Sequence, residues 1–125
     1  MANEASTPIT TVLVVEDEAL IRWDIADYLR DAGLTVLEAV DADEAIRILE
    51  TSKVQVVFTD ISMPGTMDGL RLASYIRDRW PPIKLIVASG HAILSDDDLP
   101  ANSRFFRKPY RGAQVAQAIG ELVRT

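Results

Sequence analysis

Glu16, Asp17 and Asp60 are the residues of this sequence best suited to chemistry, with Ser89 and Lys108 as companions. The first two close an apolar run, VLVVEDE at Val12–Glu18, and Asp60 closes another inside KVQVVFTDISMPGTMDG at Lys53–Gly69. KLIVASG at Lys84–Gly90 contains Ser89, and RFFRKP carries Lys108. Carboxylates brought within reach of one another repel, so a pKa rises or a cation is recruited. Oxygen ligands of this kind suit Mg²⁺, which takes one or two protein carboxylates and keeps several waters. Asp17 and Asp60 are the natural direct ligands, with Glu16 reaching through water. The competing interpretation is that Asp17 or Glu18 caps a helix and Asp60 is a loop residue.

No other nucleophile competes. His91 is the only histidine, cysteine is absent, and there is neither a G-x-S-x-G elbow nor a phosphate-cradling glycine loop. A carboxylate can itself be a nucleophile, and aspartyl phosphate is the covalent form it makes. Asp60 is therefore assigned as a phosphoryl acceptor. Mg²⁺ and Lys108 would neutralise the charge that develops on the phosphoryl oxygens. Ser89 would donate its hydroxyl to the phosphoryl group once it is on Asp60.

These residues meet only if several strands end at one edge of one sheet. Thr11–Val15 is the first strand, apolar almost throughout, as in a sheet covered on both faces. A helix from Ala19 to about Ala32 follows, with Ile21, Ile25, Tyr28, Leu29 and Ala32 inward and Arg22, Asp27, Arg30 and Asp31 outward. Gly33 ends it. Leu34–Ala39 is the second strand, and Asp41 or Asp43 caps a helix reaching about Glu50. The third strand runs through Val54, Val56, Val57 and Phe58, and a helix from Gly69 to Arg79 stops at Trp80-Pro81-Pro82. Lys84–Ala88 and Arg104–Arg107 are the last strands, and Arg111–Val123 is the last helix. His91–Leu94 is expected to form at most a helical turn, because Asp96-Asp97-Asp98 and Pro100 follow. Alternating strands and helices predict a doubly wound parallel sheet with helices on both faces.

The 125 residues suit one domain, with 1–10 as a flexible tail and 11–125 as the folded unit. A net charge of -6 disfavours nucleic acid, whose binding is mostly cation-driven. No apolar run reaches the length of a membrane span, the start lacks the features of a secretory signal, and the absence of cysteine fits a reducing, cytoplasmic compartment.

The motifs together resemble the receiver domain of two-component response regulators, of the single-domain type represented by the chemotaxis regulator, over Thr11 to Val123. VLVVEDE matches its acidic pair with Glu16 and Asp17; FTDISMP and MDG match its acceptor loop with Asp60, Met63-Pro64 and Asp68-Gly69; IVASG and RKPY match its switch hydroxyl and its lysine. The resemblance implies a flavodoxin-like sheet of order 2-1-3-4-5, the Ser62 carbonyl as a third protein ligand of Mg²⁺, and a cis Lys108–Pro109 peptide. It also implies phosphoryl transfer from a phosphohistidine of a sensor histidine kinase or phosphotransfer protein, and self-catalysed dephosphorylation. Phosphorylation would draw in Ser89, reorient Phe105 and remodel the surface around the fifth strand, which a downstream protein target reads. A monomer or weak homodimer is expected.

The sequence departs from that pattern in three places. Gly65-Thr66-Met67 makes the acceptor loop one residue longer than the commonest receiver pattern, the segment between Ser89 and Lys108 is short for a helix, and phenylalanine replaces tyrosine at Phe105. Trp23 is expected to be a partly buried anchor, Trp80 a helix-end plug, Tyr110 a packing residue at the last helix and His91 a loop residue. A pseudo-receiver that only binds protein would have lost the acceptor, the metal acids or the lysine. A flavodoxin-like FMN carrier would want a phosphate loop where three acids stand.

Overall fold

The computed structural model describes residues 9–63, 65, 67–90, 99–100 and 103–124. The bulk of the expected tail, Pro64 and Thr66 of the acceptor loop, His91 and the segment through Asp98 lie outside the described residues.

Among the described residues the chain runs β1 (Thr11–Val15), α1 (Ala19–Asp31), β2 (Thr35–Ala39), α2 (Ala42–Thr51), β3 (Val56–Asp60), α3 (Gly69–Arg79), β4 (Lys84–Ser89), β5 (Ser103–Arg107) and α4 (Gly112–Val123). All strand pairs are parallel, in the order β2-β1-β3-β4-β5. This is the flavodoxin-like arrangement that the resemblance implied. The apolar runs of β1, β3 and β4 follow from their position, since a strand covered on both faces has no polar side.

The two faces build separate cores. Ile25, Ala26 and Leu29 of α1 join Val115, Ala118, Ile119 and Leu122 of α4 over Val12, Val14, Val56, Phe58 and Ile86. On the opposite face, Ala42, Ala45 and Leu49 of α2 join Leu72, Ala73 and Ile76 of α3 over Leu13, Val15, Val57, Leu85 and Val87. Burying each large aliphatic side chain contributes about 1.5–3 kcal/mol, and these two cores clamp the sheet so that its strand ends stay in register.

Helix ends account for the small differences from the expected boundaries. Gly33, at φ 96, follows the Ala32 C-cap in the left-handed region that glycine enters without a Cβ penalty. Of the two candidate caps for α2 it is Asp41 that serves, its carboxylate accepting from the Glu44 N–H at 2.9 Å. Asp68 does the same for α3 through the Arg71 N–H, also at 2.9 Å. Trp80 is the C-cap of α3, as a helix-end plug should be; its ring lies 6.2 Å from that of Tyr75 and carries the Arg79 guanidinium at 5.2 Å.

Four residues of α1 and its C-cap differ from expectation. Tyr28 and Ala32, read as inward, lie at the surface, Tyr28 at 44% exposed. Trp23 is not an anchor: half of its surface is exposed, because it lies between the core positions of α1. Arg22 is not on the solvent side. Its side chain is only 11% exposed, folded back over the end of β1.

Candidate functional site at the strand ends

Register assembles the site. Val15 pairs with Thr59, so Glu16 comes beside Asp60; Asp60 pairs with Ala88, and Ser89 with Arg107, so Ser89 and Lys108 arrive on the other flank. The strand order reverses between β1 and β3, where open α/β sheets form their binding crevice.

The acidic turn after β1 is not spent on capping. Glu18 occupies the N-cap of α1, but its side chain makes no cap hydrogen bond. The Glu16 N–H still donates to the Ala39 carbonyl at 3.0 Å, and one Glu16 carboxylate oxygen accepts from the Glu18 N–H at 3.0 Å. That geometry sends the Glu16 side chain inward and leaves Asp17 exposed at the rim.

Asp60 is the last residue of β3 and is 6% exposed. The Thr59 hydroxyl donates to its carbonyl at 3.0 Å, and the Ile61 N–H continues the sheet to the Ala88 carbonyl at 2.9 Å. Ile61, Met63 and Met67 pack the acceptor loop onto the α2–α3 core. Lys108 follows β5, its N–H donating to the Ser89 carbonyl at 3.0 Å. Its Nζ donates to Asp60 Oδ2 at 3.1 Å and lies 3.6 Å from Glu16 Oε1. The Lys108–Pro109 peptide is cis, as the resemblance implied.

Glu16, Asp17 and Asp60 each present a carboxylate oxygen within 4.8 Å of the others. Ser89 is buried at the end of β4, Phe105 is half-buried on β5 opposite Val87, and Ser62 is exposed in the acceptor loop.

The electrostatics follow from this crowding. Burial, reinforced by the charge of Asp60, holds the Glu16 carboxyl above its ordinary range despite the Glu18 N–H and Lys108. Burial pulls the Lys108 ammonium down, but the hydrogen bond and charge of Asp60, with those of Glu16, outweigh it and leave the group raised and protonated. Tyr110 is pushed up by burial and by the nearby Glu16 and Asp60, so its ring stays neutral; it packs edge-on to Phe58 at 5.2 Å.

One ammonium offsets only one of the three carboxylates. An oxygen-only donor set with surplus negative charge, partly open to solvent through Asp17, fits a hard divalent cation such as Mg²⁺. Beside it, Leu20, Ile21, Asp24, Lys108, Pro109 and Tyr110 line a cavity of about 620 Å³.

Sequence reasoning missed one contributor, Arg22, and the steric reason for another, Gly69. Arg22 donates from Nη1 to the Glu16 carbonyl at 2.9 Å, a role visible only once β1 and α1 are folded together. Gly69 stands so close to β3 that a Cβ there would lie 1.8 Å from the Asp60 carbonyl oxygen.

The sequence matches the response regulator receiver domain family over residues 12–119. It is 37% identical over 121 residues to the sensor kinase CckA of Brucella abortus, covering 90% of this chain and 12% of that protein. It is 36% identical over 111 residues to the transcriptional regulatory protein PdtaR of Mycobacterium tuberculosis, covering 86% of this chain and 54% of that one. The chain thus spans from 12% to 54% of the length of these curated relatives. A solved response regulator receiver protein from Sinorhizobium medicae superposes with a TM-score of 0.87 at 29% identity, covering 94% of this chain and 96% of that one. The cluster of Glu16, Asp17 and Asp60 matches the acidic phosphoaccepting, Mg²⁺-binding site of such domains and is consistent with their self-catalysed phosphorylation and dephosphorylation. Sequence match and strand-end geometry agree, and the chain belongs to the receiver domains of two-component response regulators.

Proposed function

We propose that Asp60 accepts a phosphoryl group from the phosphohistidine of a sensor histidine kinase or phosphotransfer protein, in a Mg²⁺-dependent reaction, and that the domain signals through protein contact. A carboxylate oxygen of Asp60 attacks phosphorus, the P–N bond to the donor imidazole breaks, and an aspartyl phosphate forms. Water later attacks phosphorus, releases inorganic phosphate and restores the carboxylate.

Lys108 has the reach to hold a phosphoryl oxygen on Asp60, since its ammonium already bonds that carboxylate at 3.1 Å. Asp17, Asp60 and the Ser62 carbonyl would hold Mg²⁺, with Glu16 acting through water, and a bound ion would supply positive charge for the phosphoryl oxygens. Ser89 donates to the phosphoryl group, and Phe105 is the ring whose packing follows it. The acids at the end of β1 argue against an FMN carrier, and the presence of acceptor, acids and lysine argues against a pseudo-receiver.

The groove beside Lys108, with Leu20 77% exposed and Trp23 51% exposed on the adjoining turn of α1, offers the donor protein an apolar landing surface. We take residues 11–125 as the receiver unit and 1–10 as a tail, working in the cytoplasm as a monomer or weak homodimer without direct nucleic-acid contact. No described helix is long and apolar enough to cross a membrane.

The observation that carries this reading is the Lys108 ammonium on Asp60, with the Glu16 and Asp17 oxygens within 4.8 Å of that carboxylate. Incubation with phosphoramidate or acetyl phosphate and Mg²⁺ should add one phosphoryl group, seen by intact mass, and Asp60→Ala should abolish it. An unmodified wild type under those conditions rules the reading out.

A further inference from the structure

We propose that Arg22 is a positioning residue of this site, holding the Glu16 peptide so that the Glu16 and Asp17 carboxylates converge on Asp60. The inference rests on the cation-binding reading given above.

Arg22 lies in the first turns of α1 with its side chain 11% exposed. Its Nη1 donates to the Glu16 carbonyl at 2.9 Å and its Nε to Glu38 Oε1 at 3.1 Å. Glu38 is held from its other side, where Arg30 Nη2 donates to Glu38 Oε2 at 3.1 Å and to the Val36 carbonyl at 3.0 Å. The guanidinium is a rigid fork of donors, so it can grip the turn and β2 together in one geometry.

The turn needs such a grip. Glu16 is its last residue still bonded into the sheet, through its N–H to Ala39, and three acids follow one another there. Their mutual repulsion favours splaying the turn open, which would carry Asp17 away from Asp60. A cationic donor satisfies the Glu16 carbonyl and offsets that charge at once. The side-chain hydrogen bonds of Arg22 go to the Glu16 main chain and to Glu38, so the guanidinium acts on the cluster through the backbone. The alternative is an ordinary ion pair between α1 and β2 that stabilises the fold and leaves the site indifferent.

Arg22→Met separates the two, because it keeps the aliphatic stem and removes every donor. Isothermal titration with Mg²⁺ should show affinity lower by roughly tenfold, the range typical of outer-shell partners of metal ligands. In the metal-free protein, the Glu18 amide, which bonds the Glu16 carboxylate, should exchange with solvent faster. Glu38→Gln loosens Arg22 without emptying its place, and serves if Arg22→Met does not fold; it should weaken Mg²⁺ by a smaller factor in the same direction. Leu122→Ala, a cavity in the core under α4, should lower stability and leave Mg²⁺ affinity at the wild-type value. Wild-type Mg²⁺ affinity in Arg22→Met, or in Glu38→Gln where the first does not fold, overturns the proposal, as does equal weakening in Leu122→Ala. A wild type that takes up no Mg²⁺ at all overturns the cation-binding reading instead.

Discussion

Gly69 begins α3 hard against Asp60. A Cβ at Gly69 would lie 1.8 Å from the Asp60 carbonyl oxygen and 2.8 Å from the Ile61 Cα, and the Gly69 N–H donates to the Ile61 carbonyl at 2.9 Å. The helix is thus docked directly on the end of the strand that carries the acceptor. Any side chain must separate the two, because the three atoms nearest to that Cβ are all backbone.

Gly69→Ala should therefore cost about 3 kcal/mol in urea unfolding, at the upper end for overpacking. Because it displaces the acceptor itself, phosphorylation by phosphoramidate should slow at least tenfold even where the variant is folded, in line with the sensitivity of reacting groups to small misplacement. A variant with the wild-type midpoint and rate would mean that α3 can shift without carrying Asp60 along.

Lys108 makes two opposite contributions, and removing it should split them. Its Nζ neutralises Asp60 and Glu16 at 3.1 and 3.6 Å, which helps an incoming phosphoryl group but competes with a cation. Lys108→Met should slow phosphorylation by about 100-fold, the scale seen when one preorganised charge-stabilising donor is lost. The same change should tighten Mg²⁺ several-fold, because a repelling charge has left the cluster. Both quantities falling together would show that the lysine mainly supports the fold.

Glu16 offers a test of the surplus negative charge. Its carboxyl is raised above the ordinary value of 4.5 by burial and by Asp60, so the folded state holds that proton more tightly than the unfolded chain does. The stabilisation is full below pH 4.5 and is lost as pH rises through the folded value. In EDTA near neutral pH, Glu16→Gln should raise Tm by a few degrees, and the advantage should shrink on acidification. With saturating Mg²⁺ the ranking should reverse, since the wild type gains more from the ion. A lower Tm for the variant in EDTA would show that the Glu18 N–H and Lys108 already compensate Glu16.

The groove beside Lys108 predicts a donor-dependent defect. Truncating Leu20 and Trp23 together to alanine should slow transfer from a phosphohistidine protein at least tenfold more than it slows reaction with phosphoramidate, as loss of exposed apolar anchors does at interfaces. Equal effects on the two donors would move the docking surface elsewhere. Phosphate-affinity gels would follow both reactions.

The fold class and the residues of the acidic cluster could be read from the amino-acid order alone. Strands covered on both faces must be apolar runs, so β1, β3 and β4 were legible without coordinates, and the polar residues ending them were legible as site residues for the same reason. Tertiary structure alone decided which neighbours serve them. Arg22 occupies a position that helical periodicity assigns to solvent, yet its side chain folds back to donate to the Glu16 carbonyl and to Glu38, partners that only the packing of α1 on the sheet supplies. Trp23, read as an anchor, stands exposed because its neighbours Ile25 and Ala26 take the core. Gly69 reads as a helix start, and only the register of β3 against α3 reveals that a side chain has no room there. Period and hydrophobicity describe which way a residue faces on its own element; contacts between elements depend on how those elements meet, and a local pattern carries no record of that.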